Sequence, residues 1–506
     1  MPLHASVLFH PGFRIGTIDR RMFGTLIEHM GRAVYTGIFE PGHPTADAFG
    51  FRGDVAGLTA ELGITMARYP GGNFVSGYEW EDGVGPDRRP VLDLAWRTVE
   101  PNTVGTDEFL QWAERRGIEP MMAVNLGTRG VAAAAALVEY CNGEAGTRWA
   151  DLRVANGRQE PYGVRLWCLG NEMDGPWQIG HKDADAYGRL AAEAGKAMKL
   201  VDPGIELIVC GSSSMDMPTF GAWEQTVLAH AWDVVDHISM HAYVEEHDGD
   251  RASFLASGTA VDRFIRRVLA SADAVAARKQ SDRRLTISFD EWNVWYYSRF
   301  AGELDLPIQR DAPRIIEDVY SALDAVVVGD LLVALLNHAD RVPLACIAQL
   351  VNVIAPIMTE PGGAAWRQPT FHPFAATARL ARGEALTVRV EGPTMETSRH
   401  GTVPVVTAAV TVDGEALAVF LVNRGSDVAE VDLVHPGSVL ALGPGVQVTA
   451  DHEPARPGPE RASAVAAEHV REVDLGGAAH VDRTAITIPA ESWTVVCGTL
   501  VAAPGR

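Results

Sequence analysis

The sequence predicts an α/β domain folded as a (β/α)8 TIM barrel, followed by an all-β domain folded as a jelly-roll-like β-sandwich. Eight short apolar runs, mostly separated by helical patterns, precede residue 380. After about residue 380, the helical periodicity gives way to short β-like runs between turns. We therefore expect a barrel over residues 16–380 and a sandwich formed by residues 381–506 with residues 1–15.

The barrel prediction rests on the order of its strands and helices. Short apolar runs bounded by turn residues are typical of buried parallel strands. Strands are expected at 22–28, 64–69, 120–125, 164–169, 206–212, 237–243, 285–291 and 343–351. Helices are expected at 54–63, 106–117, 132–140, 183–200, 222–230, 261–279 and 315–336. A doubly wound open sheet is the alternative, but no glycine-rich phosphate loop follows the first strand, so no nucleotide cofactor is expected.

The C-terminal region shows alternation and turns typical of antiparallel strands. Its β-like runs lie at 406–412, 417–423, 431–435, 446–450, 485–488 and 493–500. Residues 456–459, with the sequence RPGP, are expected to form a loop. Residues 1–15 alternate weakly and suit an edge strand, which we expect to pair with the last strands of the sandwich.

The composition argues against several classes of partner. The formal net charge of −22 disfavours binding to nucleic acid or anionic membranes. We find no apolar run of 18 or more residues and no secretory signal pattern. The cysteines are expected to be reduced, since they are odd in number and far apart: Cys141, Cys168, Cys210, Cys346 and Cys497. We therefore expect a soluble, cytoplasmic protein.

Polar side chains stand at the ends of the predicted strands. Because these ends meet at one mouth of a barrel, where barrel enzymes carry their active sites, we expect one shared pocket. The polar residues are Glu28, Arg68, Asn125, Asn171, Glu172, Ser212, His241, Tyr243, Asp290, Glu291 and Gln349. The aromatic residues flanking them are Trp96, Trp177, Trp292, Trp295 and Tyr296. Such a pocket suits a sugar, whereas each residue taken alone also suits a helix cap or the core.

Two glutamates in this series, Glu172 and Glu291, predict glycoside hydrolysis. One carboxylic acid must protonate the leaving oxygen, and the other must attack the anomeric carbon or activate a water molecule. Carboxyl groups about 5–5.5 Å apart give retention of configuration, and a gap of ~6.5–9.5 Å gives inversion. Two close carboxyl groups also discourage each other from ionising, which keeps a proton on one of them.

Six motifs resemble the α-L-arabinofuranosidases of glycoside hydrolase family 51. They are FGTLIEHMGRAVYTGIFEPGHP at 23–44, RYPGGNFVSGYEWEDGVGP at 68–86, LAWRTVEPN at 94–102, LWCLGNEMDGPWQIGHK at 166–182, SFDEWNVWY at 288–296 and HADRVPLACIAQLVNVIAPIMTE at 338–360. They follow the family order across nearly the whole predicted barrel. One departure is Val244, where the family pattern has a second aromatic residue after Tyr243. The loop that follows, EEHDGDR, is expected to shape the leaving-group side.

The resemblance implies an exo-acting, retaining enzyme (EC 3.2.1.55) that removes terminal non-reducing α-L-arabinofuranosyl residues from arabino- or arabinoxylo-oligosaccharides. It implies Glu172 as acid/base and Glu291, oriented by Tyr243 and Arg68, as nucleophile. The substrate-binding set expected at this site is Glu28, Arg68, Asn73, Trp96, Asn171, Trp177, His241, Tyr243 and Gln349, with Asn171 at the 2-hydroxyl and the two tryptophans on the leaving-group side. The resemblance also implies a homo-oligomer, often a hexamer.

Three alternatives stay open at this point. A metal site could be built from His237, His241, His247, Glu245 and Asp248, but no HExxH pattern is present and no metal or other cofactor is expected. A non-catalytic sugar-binding protein would not need both glutamates. β-Xylosidase or endoglucanase specificity on the same scaffold is the third alternative.

Overall fold

The first part of the chain forms a closed barrel of eight parallel strands, as the sequence predicts. The computed structural model describes residues 2–300, 302, 307–309, 311–450 and 469–503, so the loop expected at 456–459 lies outside the described residues. An N-terminal strand, β1, spans Leu3–Thr17. The barrel strands are β2 Gly24–Leu26, β3 Met66–Tyr69, β4 Glu119–Ala123, β5 Leu166–Leu169, β6 Glu206–Val209, β7 His237–Val244, β8 Thr286–Val294 and β9 Leu344–Ala348.

Helices follow most of the barrel strands, as expected for a (β/α)8 fold. Their bounds are α1 Gly53–Leu62, α2 Thr106–Arg116, α3 Val131–Asn142, α4 Arg148–Ala155, α5 Ala184–Val201, α6 Ala222–Ala231, α7 Arg251–Leu255, α8 Ser257–Arg278, α9 Ala322–Leu336 and α10 Phe371–Leu380. Gly63 and Gly117 end α1 and α2 in the left-handed conformation that glycine adopts without strain. Six of the seven predicted helices are confirmed in position.

The seventh prediction, a helix over 315–336, is wrong in its first two turns. Helix α9 begins only at Ala322, because Ser321 and Asp324 form a reciprocal capping box that fixes the start. The backbone of Ile316 has a φ of 51°, which no α-helix tolerates. The apolar residues before Ser321 bury against the barrel in an irregular conformation, so their burial imitates a helical pattern.

The barrel interior is filled with side chains rather than forming a channel. Met66, Met121, Leu166, Ile208 and Leu344 are all fully buried and pack in one cluster. Buried bulky residues from neighbouring strands are what closes a barrel of this size. Polar side chains that leave the strands are consequently confined to the barrel ends.

The C-terminal part forms a continuous β-sheet that folds over on itself. Its strands are β10 Glu384–Glu391, β11 Val406–Asp413, β12 Ala416–Asn423, β13 Ala429–Thr449, β14 Val470–Asp474, β15 His480–Ile488 and β16 Ser492–Ala502. The long strand β13 pairs with β16 along one part and with β1 along another, which turns the sheet back upon itself. A separate cluster of apolar side chains lies within this fold, including Val7, Val410, Val419 and Leu433.

The N-terminal strand β1 belongs to this sheet, but its partners differ from the prediction. It pairs antiparallel with β10 and parallel with β13, so the expected pairing with the last strands is wrong. The alternation within residues 1–15 indicated a strand, whereas strand order depends on contacts that span the whole chain. The membership of β1 supports the proposed division into residues 16–380 and residues 381–506 with 1–15.

Helix α9 connects the two parts. All of its residues are buried, since barrel helices cover one side and strands of the C-terminal sheet cover the other. Gly329 allows this close approach, because a Cβ there would lie 2.2 Å from the Trp493 ring. Among the described residues, no helix is long and apolar enough to cross a membrane. All five cysteines are free, and four of them are buried.

Candidate active site

A cavity of about 400 Å³ opens at the carboxyl ends of the barrel strands. Loops following β2, β3, β5, β6, β7, β8 and β9 contribute side chains to it. Among the lining residues are Glu28, Gly72, Asn73, Trp96, Glu172, Trp177, Tyr243, Glu291, Trp295 and Gln349. Carboxylates and amides therefore share one cavity with several aromatic rings, as expected for a sugar site.

The two glutamates on which the sequence hypothesis depends meet in this cavity. Glu172 follows β5 directly and Glu291 lies within β8, 119 residues later. One carboxylate oxygen from each and a ring nitrogen of His241 all lie within 4.8 Å of one another. Two glutamates that lie far apart in the sequence thus belong to one cluster of side chains.

Glu291 is held by two donors. Arg68 Nη1 donates to Oε1 at 2.6 Å, and the Tyr243 hydroxyl donates to Oε2 at 2.7 Å. Burial first, and then the nearby charges of Glu291 and Glu172, raise the pKa of Tyr243 well above its ordinary value. Tyr243 therefore remains a donor at neutral pH, and both contacts fix the orientation of the Glu291 carboxylate.

Glu172 is held by a different pair of groups. His241 Nδ1 lies 2.8 Å from Oε1, and the Trp177 indole N–H donates to Oε2 at 2.7 Å. Glu172 adopts a φ of 42°, which turns its side chain out of the strand direction and toward the cavity. One of its two partners, Trp177, is 44% exposed, so Glu172 lies closer to solvent on that side than Glu291 does.

Arg68 joins Glu291, Asn171 and Asp290 in a buried network. Its guanidinium also donates to Asn171 Oδ1 at 2.6 Å and lies 3.4 Å from the Asp290 carboxylate. The Asn171 Nδ2 group is buried and has no acceptor among the described residues. A buried amide donor without a partner beside a cavity is a binding group for a ligand oxygen.

The imidazole of His241 faces three carboxylates. Its Nε2 lies 3.4 Å from Asp290, and its Nδ1 lies 3.6 Å from Glu291. Burial would lower the pKa of His241, but Glu291, Asp290 and Glu172 together raise it well above the ordinary value. Burial likewise would raise the pKa of Asp290, yet Arg68 and His241 hold it below the ordinary value. The three carboxylates therefore favour the protonated form of His241.

Glu28 occupies the opposite wall of the cavity. Its Oε1 accepts hydrogen bonds from the Phe74 backbone at 2.9 Å and from the Trp96 indole at 3.0 Å. Its own backbone N–H donates to the Gln349 side chain at 3.1 Å. Burial raises the pKa of Glu28 to about 7, the neighbouring charge of Glu291 adds to that effect, and the two hydrogen bonds oppose it.

Two glycines let the backbone pass between Glu28 and Glu291. A Cβ at Gly71, where φ is 152°, would lie 2.4 Å from Glu28 Cγ. A Cβ at Gly72 would lie 3.0 Å from Glu291 Oε1 and 3.1 Å from Glu28 Oε2. The PGG turn after β3 is therefore a spacer that keeps the space between these two carboxylates open.

The structure gathers every predicted site residue at the mouth. Eight of them line the cavity, whereas Arg68, Asn171 and His241 lie buried immediately behind it. Three other residues of the predicted polar and aromatic series have structural contacts instead. Asn125 caps the turn at 127–129, Trp292 is buried against Phe374, and Tyr296 donates to Asp324.

Several lining residues were missed by the sequence analysis. They follow β6 or come from the segment near Ile316, and include Ser213, Asp216 and Met217. Their only signal was position, since loops at the carboxyl ends of barrel strands build the site. Glu245, which the sequence analysis named in the EEHDGDR loop and in the alternative metal site, accepts hydrogen bonds from Ser298 and fixes that loop at the cavity edge.

The described residues do not assemble the alternative metal site. His237 lies at the amino end of β7 and contacts Thr286 and Glu206, far along the strand from His241. The His247 ring lies 3.5 Å from the carboxylate of the nearby Glu245.

Two family descriptions match this chain. The one for "Alpha-L-arabinofuranosidase 1 domain" matches residues 58–257, which include Glu172, and the one for "Alpha-L-arabinofuranosidase C-terminal domain" matches residues 290–492, which include Glu291.

Several characterised proteins are similar over most of the chain. An "Intracellular exo-alpha-(1->5)-L-arabinofuranosidase" from Streptomyces lividans is 56% identical over 83% of this chain, and the match covers 64% of that protein. One of the same name from Halalkalibacterium halodurans is 54% identical, covering 84% of this chain and 85% of its own. An "Exo-alpha-(1->6)-L-arabinofuranosidase" from Bifidobacterium longum is 53% identical, covering 82% of each chain.

Solved structures show the same architecture. A family 51 α-L-arabinofuranosidase from Bifidobacterium longum superposes with a TM-score of 0.92 at 43% identity, covering 98% of this chain and 99% of that chain. An arabinose complex of the α-L-arabinofuranosidase from Thermotoga maritima superposes with a TM-score of 0.85 at 31% identity, covering 98% and 100%. The similarity thus extends across both the barrel and the C-terminal sheet.

Proposed function

Because this chain belongs to the α-L-arabinofuranosidases of glycoside hydrolase family 51, we propose that it removes terminal non-reducing α-L-arabinofuranosyl residues by a retaining double displacement. The observation that carries this proposal is the approach of the Glu172 and Glu291 carboxylates to within 4.8 Å. Retaining glycosidases keep their carboxyl groups about 5–5.5 Å apart, whereas inverting enzymes need room for a water molecule between them.

In the first step, Glu291 attacks the anomeric carbon as Glu172 donates a proton to the leaving oxygen. The bond to the leaving sugar breaks while a covalent glycosyl–Glu291 ester forms. Arg68 and Tyr243 donate to Glu291 and hold it as an oriented nucleophile. The carboxylates around the anomeric carbon also favour the positive charge that develops on the sugar ring in the transition state.

In the second step, the now ionised Glu172 takes a proton from water, which attacks the anomeric carbon and releases Glu291. Net configuration is retained because two displacements occur at one carbon. The glycone is bound through hydroxyl contacts to Glu28, Asn73 and Gln349, which line the inner cavity. Asn171 Nδ2, the buried donor that finds no acceptor in the described part of the chain, is assigned to the 2-hydroxyl.

The proposed substrate class is short α-1,5-linked arabino-oligosaccharides. Two of the relatives reported above carry that linkage in their names, but a relative of nearly equal identity is named for α-1,6 linkages. Overall identity therefore does not decide the linkage, and the loops after β6 and β7 on the leaving-group side are the parts that would. Arabinoxylo-oligosaccharides are the competing class within the same reaction.

The activity test compares release of 4-nitrophenol from the α-L-arabinofuranoside, the β-D-xyloside and the β-D-glucoside. Turnover of the first substrate with an initially formed α-anomer, observed by proton NMR, is expected. Faster hydrolysis of the xyloside or of an internal glucan linkage would favour the other glycosidases, and arabinose binding without turnover would favour a sugar-binding protein. A product profile on linear α-1,5 and branched oligosaccharides then reports the linkage.

Glu172→Ala tests the role of the acid/base. We expect a loss of roughly 10²–10⁴-fold on arabino-oligosaccharides, whose leaving groups need protonation. The loss should be smaller for an activated aryl substrate, and added azide should restore turnover there, because azide replaces water without needing a base. Full activity of this variant on oligosaccharides would contradict the assignment.

The assembly and location of the protein are proposed from its relatives. The resemblance to family 51 supports a homo-oligomer, with a hexamer as the specific expectation. Light scattering of the purified 54.4 kDa chain would give its mass in solution. Two of the relatives reported above are named intracellular, which supports a cytoplasmic location.

A further inference from the structure

Both carboxylate oxygens of Glu172 are occupied by hydrogen-bond donors. Oε1 faces His241 Nδ1 at 2.8 Å, and Oε2 faces the Trp177 indole nitrogen at 2.7 Å. An indole nitrogen can only donate, and the three carboxylates around His241 keep its imidazole protonated. These contacts hold Glu172 as an acceptor at both oxygens.

This arrangement suits only one of the two steps assigned to Glu172. Donors to a carboxylate favour its ionised form, which is the form that accepts the proton of the attacking water in the second step. In the first step Glu172 must instead carry the proton that passes to the leaving oxygen. One of the two donors must therefore withdraw for the first step, an argument that rests on the proposed acid/base role.

Trp177 is the donor that is free to withdraw. Its side chain is 44% exposed at the cavity edge, whereas His241 is 2% exposed and faces Asp290 and Glu291 as well. The indole also depends on a glycine for its position. A Cβ at Gly175 would lie 2.5 Å from the ring atom Cε2 of Trp177, so any other residue there would push the ring away from Glu172.

We propose that Trp177 is a positioning residue whose indole N–H selects the proton form of Glu172. When bonded to Oε2, it favours the ionised form that receives a proton from water. When the leaving sugar enters the outer cavity and displaces the ring, Oε2 carries the proton that passes to the glycosidic oxygen. The same aromatic side chain thus couples occupancy of the leaving-group side to the acid step.

The test is the pH dependence of kcat/KM for Trp177→Phe, which keeps an aromatic face and removes the N–H. The alkaline limb of this profile reports loss of the proton from the free enzyme's essential acid. A hydrogen bond to a charged group corresponds to about one pH unit, so we expect the limb to move upward by roughly that amount. Gly175→Ala, which leaves Trp177 in the chain but displaces its ring, should move the limb in the same direction.

Trp295→Phe is the matched control. Trp295 lines the same cavity, but its indole N–H has no acceptor among the described residues, so its loss should leave the alkaline limb in place. An unmoved limb in Trp177→Phe, or an equal shift in Trp295→Phe, would overturn the proposal. A wild-type enzyme without any arabinofuranosidase turnover would instead overturn the proposed function, because no pH profile would then exist.

Discussion

Two buried arginine clusters of this molecule have opposite designs. Arg424 and Asp330 meet between the barrel and the C-terminal sheet, and Arg68 meets Glu291 and Asp290 at the barrel mouth; all of these side chains are nearly inaccessible. Each oxygen of Asp330 accepts two hydrogen bonds, from Arg424 and from Gly258 or Thr407. One cation and one anion are thus matched and closed off from solvent.

At the mouth, charges are not matched. Four carboxylates, those of Glu28, Glu172, Asp290 and Glu291, surround Arg68 and the cationic His241. Three of these carboxylates, although hydrogen-bonded, also border an open cavity. The comparison indicates that the interface pair serves folding. The excess of carboxylates at the mouth instead favours the positive charge that develops on the sugar ring in the transition state.

The strongest test of the catalytic cluster is Glu291→Gln. An amide of the same shape cannot attack carbon, so we expect turnover of an aryl arabinofuranoside to fall by about 10⁴-fold or more. The melting temperature should fall only modestly, since the amide oxygen keeps one of the two donors and Arg68 keeps its contacts with Asp290 and Asn171. Calorimetry and 4-nitrophenol release measure the two properties, and retention of a tenth of wild-type turnover would contradict the nucleophile assignment.

The matching test of the interface cluster is Asp330→Ala. It leaves Arg424 buried without its carboxylate, which typically destabilises a protein by roughly 3–5 kcal/mol. Chemical denaturation should show that loss, while kcat per folded molecule should remain at the wild-type value. A variant that unfolds normally but loses turnover would show that the interface cluster affects the mouth.

The pH dependence of stability should distinguish the mouth from the interface. Burial and Glu291 raise the pKa of Glu28 to about 7, so the folded state binds this proton more tightly than the unfolded chain does. The free energy of unfolding contributed by Glu28 therefore falls as pH rises from about 4.5 to 7, by about 3 kcal/mol in total. Glu28→Gln removes this dependence. The difference in free energy of unfolding between the variant and the wild type should therefore shift in favour of the variant from pH 5 to pH 8. If the free energies of unfolding of the two proteins, measured by chemical denaturation, changed in parallel with pH, this prediction would be wrong.

Tyr243→Phe gives the smallest expected effect. It removes one hydroxyl donor from Glu291 and leaves Arg68 in place. A hydrogen bond to a charged group is worth about 1.5–3 kcal/mol, so kcat/KM should fall roughly 10- to 100-fold, with little change in melting temperature. Steady-state kinetics measures this loss, and unchanged kcat/KM would mean that Arg68 alone orients the nucleophile.

Much of the fold was predictable because it is encoded locally. Each barrel strand is an apolar run bounded by turn residues, so all eight were predicted. Their ends also placed Glu172 and Glu291 at the same end of the barrel. The irregular segment before α9 was not predicted. Ile316 lines the cavity with a positive φ, so its apolar side chain fits the helical pattern although the backbone is not helical. The partners of β1 were also missed, because strand order depends on residues more than 350 positions away.

The candidate site divides in the same way. Its members could be selected by their position at strand ends, but their contacts could not. Nothing in the spacing shows that Arg68 bridges Asn171 and Glu291, or that Trp177 reaches Oε2 of Glu172. Such contacts follow from the curvature of the closed barrel. Trp292, in turn, resembles a sugar platform in sequence and is a core residue in the structure.

The placement of β1 has a consequence for how the protein can be made. This strand is synthesised before the barrel, yet both of its neighbours, β10 and β13, are synthesised at least 360 residues later. During translation, β1 must therefore stay without these partners until β10 and β13 have also been synthesised. A fusion tag joined before β1 would lie next to a strand that pairs late. A truncation that removes β10 and β13 would also leave β1 without its partners.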